Sequence, residues 1–248
     1  MLLEGDKEKK LEKGEKESDK ISLTPGLLSF IKQVGLSPQE AKRILRTNSQ
    51  RIENLVEELE KNKGKIIKNN KRELGFVNKE VPKEKIVGYV KIVVLVESVF
   101  GIEAEYLLAI ATQESNLKNP KNGDGFYQIN QITIKELKNK KRFDQIKNRI
   151  CEDRKDNPHL KEILENIYSK IIIGFEPSAN FGTQTILAIL VLYLKHLEKN
   201  IPISDKKNLA KEYNGSKRKD EYAEEVMERY LYLKKISFTE KRKKSDER

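Results

Sequence analysis

Apolar residues recur along most of this chain at a spacing of three and four, the period of a helix with one buried face. From Leu23 onward the punctuation is helical. Thr24-Pro25 reads as an N-cap followed by proline at the first helical position. Ser37-Pro38-Gln39-Glu40 repeats that arrangement, with Glu40 placed for a capping box. Ile52, Leu55, Val56 and Leu59 mark a further helix over 50–60. Val81-Pro82 sets a boundary. A strongly apolar helix comes next over 83–100 and ends at Gly101. A second runs over 103–116. Helical patterns return over 132–140, 143–153, 159–173, 179–199, 205–213 and 219–235. Between them, 119–130 carries Pro120, Gly123 and Gly125 and reads as a loop or short hairpin. No segment alternates convincingly as a strand does, so the predicted class is mainly α.

The pattern divides the chain into four parts. Residues 1–20 are Lys, Glu, Gly, Asp and Ser with almost nothing apolar, and are expected to be disordered. Residues 21–80 form a small helical segment of unassigned role. Residues 84–235 form the main helical domain, and 236–248 a basic tail.

Composition adds limits. The chain has 248 residues, 37% hydrophobic and 36% charged, with a formal net charge of +11. Such a charge draws a protein toward polyanions without choosing among nucleic acid, anionic lipid and the bacterial wall. No zinc finger, RNA-recognition signature or basic-aromatic stripe is present, so nucleic acid is not an expected partner. Cys151 is the only cysteine, which excludes an intrachain disulfide. With it, His159 and His196 make no metal-ligand spacing, so neither metal nor cofactor is expected. The longest apolar run, Ile186 to Leu194, is too short to span a bilayer. Met1-Leu2-Leu3-Glu4 has no signal-peptide core.

One residue breaks the pattern in a chemically useful way. Leu107, Ile110 and Ala111 precede Glu114 by seven, four and three residues, and Leu117 lies three residues beyond it. These spacings put Glu114 on the apolar stripe of its helix. Desolvation raises the pKa of a carboxyl there, as a general acid near neutral pH requires. The plain alternative is a surface ion pair with Lys118, four residues on.

The residues beyond Glu114 favour the acid. Glu114-Ser115 closes a helix. Gly123-Asp124-Gly125 leads into Phe126-Tyr127-Gln128-Ile129-Asn130, and Tyr213-Asn214-Gly215 stands before a closing helix with Tyr222, Val226 and Tyr230. Asn180 precedes a long helix that includes Tyr193-Leu194. In this order, over about residues 84–235, the set resembles the soluble lytic transglycosylases and goose-type lysozymes. Phe126-Tyr127 stands where that family often has Leu-Met, and Glu212 where it often has Ala.

The resemblance implies a lysozyme-like, α+β but mainly helical domain with a small hairpin lobe beside a cleft. It implies cleavage of peptidoglycan glycan strands, between N-acetylmuramic acid and N-acetylglucosamine, with a 1,6-anhydro product. Glu114 is the implied acid, then base. Ser115, Gln128, Tyr213, Asn214 and Tyr127 are the implied substrate-side residues, with Tyr213 touching Glu114. Ser115 equally suits a plain helix-end bond to backbone. Asp124 is the candidate second carboxylate of a hydrolase, although Asp beside Gly more often makes an Asx turn. A hydrolysing muramidase and a non-catalytic wall-binding protein are the alternatives. The substrate implies periplasm or cell wall, and residues 21–80 are then a candidate docking module for an envelope-spanning machine.

Overall fold

The computed structural model describes residues 21–69, 72–118, 125–174, 180–214 and 218–239. Among them are eleven helices and one two-stranded sheet, so the chain is mainly α. The order is α1 (Pro25–Gln33), α2 (Pro38–Thr47), α3 (Ser49–Lys61), β1 (Ile66–Asn69), β2 (Arg72–Gly75), α4 (Lys83–Phe100) and α5 (Ala104–Ser115). Then come α6 (Gln131–Lys138), α7 (Lys140–Asp153), α8 (Leu160–Gly174), α9 (Phe181–Lys199), α10 (Lys206–Tyr213) and α11 (Lys219–Ser237). The expected disordered segment 1–20 lies outside the described residues, as does most of the basic tail.

Local chemistry accounts for the helix ends. The Leu27 N–H donates to Thr24 Oγ1 at 3.3 Å, ahead of Pro25. Ser37 and Glu40 form the reciprocal capping box, at 3.2 and 2.8 Å. Gly101 takes the left-handed conformation that closes α4, with φ +76°.

Three expectations need correction. Residues 21–80 are not purely helical, because β1 and β2 pair as an antiparallel hairpin from Ile66↔Gly75 to Asn69↔Arg72. Each strand has four residues and shows little inward-facing pattern, so no alternation stands out. Leu74 and the nearby Phe76 are fully buried, and Phe76 packs on Tyr232 of α11 at 5.2 Å.

Nor are residues 21–80 a separate module. Buried side chains form one cluster running from Leu27 to Leu233. Arg51 of α3 reaches Glu97 of α4 at 2.8 Å and Glu105 of α5 at 2.7 Å. The basic tail also starts later than expected. α11 continues to Ser237, and the Asn54 amide donates to the carbonyls of Ile236, Ser237 and Thr239 at 3.2, 3.4 and 2.9 Å.

α5 is buried from Ala104 to Thr112 and the long α9 from Phe181 to Leu194, deep in the core. α11 closes over α5 and α3. No helix among the described residues is long and apolar enough to cross a membrane.

Candidate active site

Glu114 sits in the last turn of α5. Its helix is buried from Ala104 to Thr112 and emerges only at Gln113, Glu114 and Ser115, all half-buried. The sequence explains this: Leu107, Ile110 and Ala111 point the same stripe into the core. Burial pushes the Glu114 carboxyl up to about 7, against the lowering effect of one hydrogen bond. That bond comes from Tyr222 of α11, whose hydroxyl donates to Glu114 Oε1 at 2.6 Å.

The Tyr222 ring is buried, and its hydroxyl is held well above its ordinary pKa, first by burial and then by the Glu114 charge. It stays a neutral donor across the useful pH range. One residue earlier on α5, Gln113 Nε2 donates to Glu225 Oε2 at 2.6 Å, so α5 and α11 are tied at the acid and at the residue before it.

The chain just past Glu114 is also fixed. Asn116 and Leu117 both take left-handed backbone, φ +48° and +55°. Such conformations cost side-chain-bearing residues about 1 kcal/mol or more and persist where surroundings enforce them. Here the enforcement comes from the segment after the hairpin. The Asn78 N–H donates to Asn116 O at 2.8 Å. The Asn116 side-chain amide donates to Gly75 O at 3.0 Å and Thr112 O at 3.1 Å. Arg229, two helical turns along α11 from Tyr222, also donates to Gly75 O, through Nη2 at 3.3 Å. One carbonyl therefore links the end of the acid's helix to the helix that carries its tyrosine.

The other expected residues divide by geometry. Gln128 is half-buried in the turn 125–128, with φ +49°, and its side-chain amide donates to Gly125 O at 2.8 Å. Gly125 is required there. Its φ is +70°, and an added Cβ would stand 2.1 Å from the Gln184 amide. Gln184 in turn accepts from the Phe126 N–H.

Tyr213 lies at the end of α10, and its hydroxyl donates to Tyr127 O at 2.9 Å. The expected Tyr213–Glu114 bond is thus made by Tyr222 instead. The Glu114 charge still contributes, after burial, to holding the Tyr213 hydroxyl well above its ordinary range. Asn214, half-buried, is the C-cap of α10.

Two residues take the plainer of their roles. The Ser115 hydroxyl donates to Ala111 O at 2.9 Å, the helix-end bond to backbone. Tyr127 is a correction. Its side chain is 0% exposed, tilted against Phe181 at 5.7 Å, and its hydroxyl accepts from Thr185 at 3.2 Å. A ring so enclosed packs the core, and its service to the site is the backbone carbonyl that holds Tyr213. Asp124 lies outside the described residues.

Tyr222 is the residue that sequence reasoning undervalued. It stood among the apolar positions of the closing helix, with Val226 and Tyr230 at the i+4 and i+8 places of the same face. A tyrosine there reads as core. Only the approach of α11 to the end of α5 gives its hydroxyl a partner.

Among the described residues, no group of three or more His, Cys, Asp or Glu is placed to hold a metal ion. The site's own chemistry is a carboxyl protonated near neutrality, at a partly exposed helix end, oriented by a neutral donor. Compared with protein-family models, curated proteins and solved structures, the chain matches none.

Proposed function

We propose that this protein is a lytic transglycosylase that cuts peptidoglycan glycan strands, with a lysozyme-like domain and Glu114 as its one acid–base group. The observation that carries the reading is Glu114 itself. It is half-buried at a helix end, with its carboxyl raised to about 7 and a tyrosine hydroxyl on one oxygen.

The chemistry derives from that state. The protonated carboxyl gives its proton to the glycosidic oxygen as the bond to the muramic acid anomeric carbon breaks. Positive charge develops at that carbon, and the sugar's own acetamido oxygen stabilises it. Glu114, now a carboxylate, takes the proton of the muramyl 6-hydroxyl. That oxygen closes on the anomeric carbon and leaves a 1,6-anhydro end. The proton first given leaves on the new hydroxyl of the departing sugar, Glu114 ends protonated with the proton of the 6-hydroxyl, and no water is consumed. A group that acts as acid and then as base works best with a pKa near the working pH. Tyr222 suits both halves, since a neutral hydroxyl can donate to the carboxylate and stay bonded to the acid.

Gln128 and Asn214 fit the walls of a cleft beside Glu114, and Tyr213 fits a support for the Gln128 turn through Tyr127. The substrate places the reaction in the periplasm or cell wall.

The test is mass spectrometry of products from purified peptidoglycan treated with the protein and with Glu114→Gln. Muropeptides one water lighter than hydrolysis products are expected, with a loss of about 10²–10⁴-fold in the variant. Cleavage by the intact protein should fall as pH rises through about 7, because the acid must start protonated. Ordinary hydrolysis products would make the protein a muramidase instead. No products from either protein would leave a wall-binding role.

A further inference from the structure

We propose that a groove next to Glu114 holds the peptide stem of the glycan strand, an inference that rests on Glu114 being the acid of a transglycosylase. The groove, about 750 Å³, opens between α1, α4 and the start of α9. Glu114 does not line it. Leu117 and Lys118, three and four residues past the acid, do, and so does Phe126, two residues before Gln128. A volume of this order holds a small ligand or a few peptide residues.

Its floor is aromatic and closed. Tyr89 stacks on Phe181 at 4.3 Å, and Phe126 meets the two rings edge-on at 5.2 and 5.1 Å. Its rim is charged. Lys118 pairs with Glu80 at 2.5 Å, the two side chains being 43% and 61% exposed, so either can change partner at little cost. Lys85 is exposed and makes no ion pair among the described residues. In the middle, Gly88 offers no side chain, and a Cβ added there would meet nothing within 4 Å.

The chemistry of the substrate selects the occupant. The bond to be cut leaves the anomeric carbon of N-acetylmuramic acid. That same sugar bears a lactyl ether that carries a short peptide. Wherever the acid meets this bond, a peptide lies close by and needs a place. A sugar ring stacks on an open aromatic face and spends its hydroxyls on in-plane polar groups. This floor instead turns its rings against one another. It suits alanine methyls, while Lys85 and Lys118 suit the stem's carboxylates and Glu80 suits the amine of a diamino acid.

One wall is α1, through Leu27 and Phe30, which lies before the region of family resemblance. Gly182 lets it approach, since a Cβ there would stand 2.4 Å from the Phe30 ring. The N-terminal helices thereby gain a role at the site: they shape what the enzyme accepts beside the bond it cuts.

The experiment compares kcat/KM on intact strands with kcat/KM on strands stripped of peptide by an amidase. The intact protein is expected to favour peptide-bearing strands. Gly88→Trp, which fills the groove, and Lys85→Glu, which reverses its charge, should each lose roughly tenfold or more on those strands. Both should cut stripped strands as before, which also shows that they fold. Variants that lose equally on both substrates, or on neither, overturn the groove as the stem's site. An intact protein that cuts neither substrate overturns the role of Glu114 as the acid instead, and the groove's role with it.

Discussion

Glu105 and Glu114 lie nine residues apart on α5, both turned inward, and the protein treats their charges in opposite ways. Glu105 is 1% exposed and fully matched. Arg51 grips both its oxygens from α3, and Ser237 donates to it from α11. Glu114 is less deeply placed yet receives only a neutral hydroxyl. Burial therefore wins, and its carboxyl rises to about 7. A third glutamate sharpens the contrast. Glu103, at the start of the same helix, is also pushed up by burial, but bonds from Tyr230, Lys206 and Lys234 hold it down to about 2. Depth does not decide the protonation state. At Glu103 the bonded cations outweigh burial, and no cation is bonded to Glu114 among the described residues. Ion pairs hold one end of the helix, and the other end keeps its proton for chemistry.

The largest way to break this comparison is to make Glu105 resemble Glu114. Arg51→Ala would leave Glu105 buried with only the Ser237 hydroxyl bonded to it, and would take from Glu97 its Arg51 partner. Breaking a buried pair by removing one partner costs about 3–5 kcal/mol. Urea unfolding should show a loss of that size at pH 7. A loss below about 1 kcal/mol would mean that water or another group takes over from Arg51, and the pair would then hold little.

The opposite change makes Glu114 neutral at every pH. The sign is set by its raised pKa. The folded state binds the proton more tightly than the unfolded chain, whose glutamate titrates near 4.5. The stability this provides is present in full below about pH 4.5 and is lost as pH rises through about 7. Glu114→Gln should therefore match the parent at about pH 4 and exceed it by about 2 kcal/mol at about pH 8, a figure kept below the full linkage value because the carboxyl is partly exposed. A difference that did not vary with pH across this range would show that the acid is not held protonated by the fold. The gain would accompany the loss of cleavage in the same variant, as expected where a site keeps a group that the fold would rather not bury charged.

These two glutamates also mark what was legible in the sequence. Local signals carried the helices. Caps at Thr24 and Ser37 and the closing Gly101 set ends that the structure keeps within a few residues. The place of Glu114 on an apolar stripe was legible too, because it depends only on spacing within one helix. What depended on two distant segments was not. Arg51 and Glu105 are separated by 54 positions, and nothing local says that α3 crosses α5 there. Tyr222 stands 108 positions from Glu114, on a face that reads as core. The hairpin escaped for a different reason: its four-residue strands are too short for a period of two to emerge from lysine-rich surroundings.

The finest test of the comparison leaves both glutamates in place and removes the hydroxyl bonded to Glu114. Tyr222→Phe keeps the buried ring and its packing. Two consequences separate orientation from mere filling of space. The bond from Tyr222 lowers the Glu114 pKa, so its loss should raise that pKa above about 7 and carry the alkaline limb of the kcat/KM profile to higher pH. At the optimum, kcat should still fall about tenfold, near the worth of one hydrogen bond to a charged group, because the carboxyl is no longer held in one rotamer. KM should change little, since the buried ring meets no substrate. Tyr213→Phe is the control, as its hydroxyl goes to the Tyr127 carbonyl and not to the acid. It should lower kcat less and leave the alkaline limb in place. If instead Tyr213→Phe moved the limb and Tyr222→Phe did not, the tyrosine that governs the proton would be the one at the end of α10, and α11 would serve only to close the core.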